Sequence, residues 1–355
     1  MNTLIWIGFC QSVFAAIIML AKKDRSQPDK ILSAWLILLG IEFLTCALDF
    51  QLFINPKLSS SFLLFNPALF IYIQSLTQPN FRLHWSQILH LLPYVVFEIV
   101  VYIIDEPFLL DNFFKYDKHF IFRILFAFAT IISWCVYNPL SLIAVHKHRM
   151  FLRSEKSNIE RNENLSWVLF VAIFYAVYCC IAFIITVFVF FQHLDTLIPH
   201  YYNYVVLLFL VYVLSFYGLL QKQLPNKYQV NRVLYKNSSM SFENKENIKQ
   251  KLLNHFEINK AYLDPDLNMD SLAVALHIPK HQLTEVLSTV VGKNFFQFVN
   301  SYRIDAVKTM LLDSKNRYSI EAIGYECGFS SKSSFYSVFK ELTGETPISF
   351  RKKIN

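Results

Sequence analysis

Charge is what this sequence has least of. Lys, Arg, Asp and Glu make up 17% of its 355 residues, against roughly 25% in ordinary soluble proteins. That shortfall is unusual for a chain that is soluble along its whole length. Glycine is scarce too, at 7 copies. Cysteine is sparse and unpatterned. Cys10, Cys46, Cys135, Cys179 and Cys180 fall in apolar runs and Cys327 in the polar C-terminal part. No pair has metal-ligand spacing and no secreted disulfide framework is laid out. Catalytic signatures are missing as well. There is no His-Glu-x-x-His, no Gly-x-Ser-x-Gly and no set of paired glutamates with a helical His. His84, His90, His119, His146, His148, His193 and His200 sit at or near the ends of apolar runs, where interfacial placement explains them. Neither an enzyme nor a cofactor or metal site is expected.

What the sequence has in quantity is apolar residues, 54% in all and 35 of them Phe. They are concentrated before Gln221. A helix needs about 20 apolar residues to cross the hydrocarbon core. Seven candidate spans lie at about 3–21, 31–54, 60–76, 87–104, 119–145, 165–191 and 198–220. The third is the weakest, because Asn66 and Pro67 interrupt it; the fifth carries Asn138-Pro139. The first run is not a cleavable signal peptide, since such peptides carry positive charge before the apolar stretch. Here "MNT" has none, and "AKKDR" follows the run.

Short cytoplasmic loops collect Lys and Arg. The loops after the first, third and fifth runs hold Lys22, Lys23, Arg25 and Lys30, then Arg82, then Lys147, Arg149, Arg153, Lys156 and Arg161. The alternate loops hold Lys57, Lys115 and Lys118. This asymmetry implies an N-terminus outside a bacterial inner membrane and a cytoplasmic C-terminal part. Residues 1–221 are then a seven-span membrane domain in contact with lipid.

Residues 222–244 are polar and read as a linker, with a helix beginning near Ser241. Ile248, Leu252, Leu253 and Phe256 at helical spacing form that helix's buried face. Two similar units follow. "SLAVALHIPKHQLTEVL" (271–287) has Leu272-Ala273, a turn at His277 to Pro279, and a helix with Leu283 and Leu287 inward. "AIGYECGFSSKSSFYSVF" (322–339) has Ile323-Gly324, a turn at Gly328, and a helix with Phe335 and Phe339 inward. Each is a helix-turn-helix plan, in which the start of the second helix meets base edges. The helix "FFQFVNSYRIDAVKTMLLD" separates them.

Residues 245–355 resemble the AraC/XylS family of transcription regulators. The resemblance rests on "LAVALHIPKHQL", "FVNSYRIDAVKTMLL" and "CGFSSKSSFYSVFKELTGETPISFRKK", in that order. It implies a seven-helix DNA-binding domain with two helix-turn-helix units joined by a long helix. Gly328-Phe329, Phe335, Phe339-Lys340, Gly344 and Pro347 occupy its most characteristic positions. Gly324 stands where the family usually has Ala, and Pro279 where Ser often caps the first recognition helix. The family's sugar-binding barrel is absent.

Lys280, His281, Gln282, Thr284 and Glu285 lie off the buried face of the first recognition helix. Ser331, Lys332, Ser333, Ser334, Tyr336, Ser337 and Lys340 lie off that of the second, and Arg351 follows. Gln can bond adenine bidentately and Ser can bond bases or phosphates. Lys332, Lys340, Arg351, Lys352 and Lys353 suit phosphates, to which most protein–DNA contacts run. Residues 279–355 hold eleven Lys and Arg against seven Asp and Glu, so non-specific affinity should be modest.

Ionisable groups inside a span are functional candidates. Glu42, Asp49, Glu98 and Arg123 are the sensor candidates, with Asp49 and Arg123 placed to pair near the outer boundary. The acidic "DEPFLLDNFFKYD" and aromatic "PHYYNY" stretches on that side would form the mouth of a ligand pocket. The expected fold is therefore all-α: a seven-helix transmembrane bundle followed by a cytoplasmic all-α DNA-binding domain with two helix-turn-helix units. The expected function is a membrane-bound one-component regulator. It would bind double-stranded DNA, pair as a homodimer and respond to an unidentified small-molecule or protein signal. The alternative is a transporter-like bundle carrying a regulatory DNA-binding domain.

Overall fold

The structure is a computed structural model. It describes residues 2–23, 25–53, 57–78, 81–107, 113, 115–160, 162–192, 198–221, 240–313 and 317–353. Most of the sequence-expected linker, 222–239, lies outside these residues. Among the described residues every regular element is helical, and β-structure is limited to two isolated bridges. The chain forms two compact units, 1–146 with 165–229, and 147–164 with 230–355. The division differs from a single cut near 221, because residues 147–164 fall in the C-terminal unit. The chain leaves the apolar unit within one helix and returns to it at Leu165.

The apolar unit is built from α1 (Asn2–Ala21), α2 (Gln27–Leu52), α3 (Ser61–Thr77), α4 (Trp85–Ile104), α5 (Phe120–Glu155), α6 (Ser166–Gln192) and α7 (Ile198–Leu220). Each helix corresponds to one apolar run of the sequence. Six are long and apolar enough to cross a membrane, by length and composition. The third, α3, is shorter at 17 residues, so the count of such helices is six where seven were expected. Local chemistry sets the ends. Ser26 caps α2 in a reciprocal capping box with Asp29, whose carboxylate also takes Lys22 at 2.9 Å. Pro67 lies inside α3 and Pro139 inside α5. Trp35, Phe43, Phe65, Tyr72 and Tyr175 fill the interior. The outer faces are also apolar: Phe14, Ile17, Trp85, Leu89, Ile99, Ile103, Phe128, Ile184 and Phe216 are all exposed.

The C-terminal unit contains α8 (Phe242–Ile258), α9 (Met269–Leu276), α10 (Lys280–Val286), α11 (Phe295–Leu312), α12 (Ile320–Glu326), α13 (Lys332–Thr343) and α14 (Pro347–Lys352). Ser241 caps α8 through the Asn244 amide. Two cores form. Ile248, Leu252, Phe256, Leu272, Leu283, Val286 and Leu287 meet Phe295, Phe298 and Val299 of α11 in the first. Phe296, Ile304, Val307 and Leu311 of α11 meet Ile323, Phe329, Phe335, Val338 and Phe339 in the second. The helix α11 has 18 residues, about 27 Å at 1.5 Å per residue, and contributes side chains to both cores.

Candidate nucleic-acid interface

Both helix-turn-helix units turn on one left-handed residue. His277 ends α9 at φ 54° and Gly328 follows α12 at φ 88°. The next residue, Ile278 or Phe329, is buried and anchors the turn. At Gly328 the backbone leaves no room for a side chain. A Cβ there would overlap the Tyr262 carbonyl oxygen and lie 2.9 Å from that of Leu263. Gly324 has a packing reason too, since a Cβ would come within 2.7 Å of the Phe335 ring. The departure from Ala thus lets α12 and α13 approach closely.

The recognition helices start differently. Ser331 caps α13 by accepting the Ser334 amide at 3.2 Å. Pro279 precedes α10 and gives no side-chain cap. Around the start of α13, Ser331, Lys332, Ser333, Ser337 and Lys340 are exposed, and Ser334 and Tyr336 are half-buried. Glu321 of α12 takes the Lys332 ammonium at 2.8 Å and the Tyr336 hydroxyl at 3.1 Å. The bond from Lys332, aided by that from Tyr336, holds the Glu321 carboxyl below its ordinary value and raises Lys332. Arg351 is half-buried, and its guanidinium reaches the Tyr318 carbonyl at 3.5 Å.

On α10, His281 is exposed, and Lys280, Gln282 and Thr284 are half-buried. The Thr284 hydroxyl donates to the Lys280 carbonyl at 2.9 Å. Lys280 pairs with Glu155 and, at 2.8 Å, with Asp270. Burial opposes its charge, but the two carboxylates outweigh burial and raise its pKa. Burial raises the Glu155 carboxyl, with Lys280 opposing. Glu285 departs from expectation. It is 3% exposed and pairs with Lys245 of α8 at 2.6 Å. It therefore joins α10 to α8 and does not face outward with its neighbours.

Sequence reasoning also missed Arg303, which is fully buried. Its guanidinium donates to the carbonyls of Tyr262 at 2.7 Å and Asp264 at 2.8 Å, and to the Ser157 hydroxyl at 3.0 Å. It lies 5.6 Å from the Phe329 ring. Burial lowers its pKa to about 10. One signal was available: Arg303 shares the helical face of Phe296, Val299 and Val307, where a lone cation needs built-in acceptors.

The sensor candidates divide into two places in the apolar unit. The buried Glu42 accepts from Ser59, from Tyr94 at 3.2 Å and from Tyr204 at 3.4 Å. Glu98 accepts the Ser60 amide at 3.4 Å. Asp49 accepts the Lys57 amide at 3.1 Å and the Tyr102 hydroxyl at 2.9 Å. The expected Asp49–Arg123 pair does not form. Arg123 pairs with Glu106 and Asp117, each at 2.8 Å. Those acids bracket the loop leading into α5 and supply the countercharge locally. Residues 108–112 and 114 of the acidic stretch lie outside the described residues, as do the side chains of 198–201. Among the described residues, no group of three or more His, Cys, Asp or Glu could hold a metal ion.

Residues 272–353 match the family described as "Helix-turn-helix domain". The chain is similar to "Regulatory protein PocR" of Salmonella typhimurium, 28% identical over 95 residues, which cover 27% of this chain and 31% of that protein. It is likewise similar to an "Uncharacterized HTH-type transcriptional regulator in cgkA 5'region" of Pseudoalteromonas carrageenovora. That match is 28% identical over 87 residues, covering 24% of this chain and 50% of the relative. The chain thus spans half or less of the length of these curated relatives. A solved structure of a protein of unknown function from Listeria innocua shares 27% identity, covering 30% of this chain and 98% of that one, with a TM-score of 0.28. The match, the two turns and their packed helices agree: residues 272–353 form a helix-turn-helix domain.

Proposed function

We propose that this chain is a membrane-bound, one-component transcriptional regulator. Its two recognition helices bind double-stranded DNA sequence-specifically, and a signal sensed in or through the apolar unit controls that binding. The observation that carries the reading is the pairing of a helix-turn-helix domain with an apolar unit whose exposed faces are themselves apolar. Large exposed apolar surface is unusual for a soluble monomer and suits contact with lipid tails. The uneven Lys and Arg in the loops supports a bacterial inner-membrane location, with the N-terminus outside and the helix-turn-helix domain in the cytoplasm. The two curated relatives are named as regulators, which favours the same role here. Pairing as a homodimer would raise affinity by making the second engagement intramolecular.

The buried carboxyls Glu42 and Asp49, with Glu98 near them, favour one second reading, a transporter-like bundle carrying a regulatory domain. One experiment separates the two. The full chain in nanodiscs is used to select bound fragments from sheared genomic DNA, and the same protein in liposomes is tested for uptake of labelled solutes. A regulator enriches defined fragments without solute flux; flux without enrichment favours the transporter. A periplasm-only reporter fused after Asp195 should be active, and one fused at the C-terminus silent. Activity at the C-terminus would end the DNA-binding reading.

A further inference from the structure

Residues 147–164, the last turns of α5 and the link to α6, belong to the compact C-terminal unit. The segment is closed at its base, where Arg149 donates to the Asn164 carbonyl at 2.8 Å and Lys156 pairs with Glu163. Its middle is bonded into the helix-turn-helix domain. Ser157 is fully buried and donates to the Leu267 carbonyl at 2.6 Å. The Ser157 hydroxyl accepts from Arg303, and its carbonyl accepts from Asn300 at 2.9 Å. The Asn158 amide donates to the Pro265 carbonyl at 2.7 Å and the Gly328 carbonyl at 2.9 Å. Ile159 packs on the second core. Arg153 pairs with Glu341 of α13 at 3.1 Å. Glu155 pairs with Lys280 at the start of α10.

These contacts reach the approach to α9, the joining helix α11 and the turn of the second unit. One short segment therefore spans both helix-turn-helix units. It also puts a carboxylate on the first residue of a recognition helix, where a DNA phosphate would otherwise take the ammonium. An acid in that position repels the phosphate backbone as well as occupying its partner.

We propose that residues 153–159 are an autoinhibitory clasp: seated, they commit Lys280 to Glu155 and hold the two helix-turn-helix units in one arrangement, and full DNA engagement requires Glu155 to give way to a phosphate. The inference rests on the DNA-binding reading above. Both ends of the segment are joined covalently to apolar helices, α5 and α6, so a signal acting on those helices has a direct handle on the clasp.

The test uses the full chain in detergent micelles and a fluorescent 30-base-pair duplex of arbitrary sequence, titrated over a salt series. Such binding reads phosphate contacts without knowledge of an operator, and each cation engaged steepens the dependence of log affinity on log salt by about one unit. Glu155→Gln keeps the shape of the side chain and removes its charge. It should tighten binding about threefold to tenfold at fixed salt and steepen the slope by up to about one, because the remaining partner, Asp270, is largely exposed and holds Lys280 weakly. Adding Lys280→Ala to it should abolish both gains. Asn158→Ala loosens the segment and with it the Glu155–Lys280 pair, so it should tighten binding and steepen the slope in the same direction, by less than Glu155→Gln. Thermal melting of each variant checks the fold. Wild-type affinity and slope in Glu155→Gln would overturn the clasp, as would weaker binding in both Glu155→Gln and Asn158→Ala. If no form bound the duplex even at low salt, the DNA-binding reading would fall first and take the clasp with it.

Discussion

The two helix-turn-helix units share a plan but not a condition. The second keeps its turn and helix start to itself, while residues 153–159 touch it only through Gly328's carbonyl, Glu341 and its core: Gly328 makes its turn, Ser331 caps its recognition helix, and Lys332 answers to Glu321 of its own first helix. Lys332 remains 62% exposed. The first unit borrows from elsewhere. Lys280 answers to Asp270 of its own first helix but also to Glu155, a residue far away in sequence, and Glu285 ties α10 to Lys245 of α8. One fold plan thus supports two conditions, a recognition helix whose leading cation has one acid and stays mostly exposed and another whose leading cation is held between two. The difference lies in neighbouring charges as well as in how each helix is capped.

The harshest way to break this comparison is at the turns. Gly328→Val places a β-branched side chain at positive φ and against two main-chain carbonyls. A loss of about 3 kcal/mol or more is expected, read as loss of the cooperative melting transition of the C-terminal unit. His277→Gly relieves left-handed backbone in the first unit and should leave melting nearly unchanged or slightly improved. If the two changes had equal effects, the turns would not differ as described.

Next come the recognition surfaces. Lys332→Ala with Tyr336→Ala should weaken binding to a selected DNA site about tenfold to a hundredfold with the fold intact, as expected for one phosphate and one base contact. His281→Ala with Gln282→Ala should cost less, because the first unit presents its helix with Lys280 engaged. Anisotropy titrations at matched salt compare the pairs, and a larger loss from the first-unit pair would reverse the assignment.

The joining helix α11 and both turns were legible in the sequence because apolar spacing, Pro279 after the first turn and Gly328 in the second announce them. Phe295 and Phe296, adjacent in sequence, feed different cores, as a helical period requires. The seven helices of the apolar unit were equally legible from run length, although α3 is too short to count with the others. The ion pairs were not. Asp49 and Arg123 could be placed at similar depth, but the choice of partner depends on which acids the α4–α5 loop brings to Arg123. Glu285 looked outward on a helical wheel because the wheel does not show α8 packing on that side. The clasp was invisible because Ser157 and Asn158 are ordinary loop residues until their long-range partners are known.

Capping gives a smaller contrast. Ser331→Ala should destabilise the domain by about 1 kcal/mol. Pro279→Ser gains a cap but gives up proline's restriction of the unfolded chain, so its net effect should stay within about 0.5 kcal/mol by chemical denaturation. The smallest effect concerns Glu321, whose pKa is lowered chiefly by the Lys332 bond. A lowered folded value means that its contribution is complete above its ordinary value of 4.5 and is lost as pH falls through the folded value. A carboxyl titration followed by NMR should show this, and Lys332→Ala should move the midpoint back up.

The central claim is that two recognition helices on one chain read DNA together, and a hydroxyl-radical footprint of the full chain on a selected genomic fragment tests it most directly. The expected result is two protected segments about one helical turn apart for each chain bound. Lys332→Ala with Tyr336→Ala should erase one of them, and His281→Ala with Gln282→Ala should weaken the other. A footprint left unchanged by both pairs of substitutions, or no protection at any fragment, would contradict it.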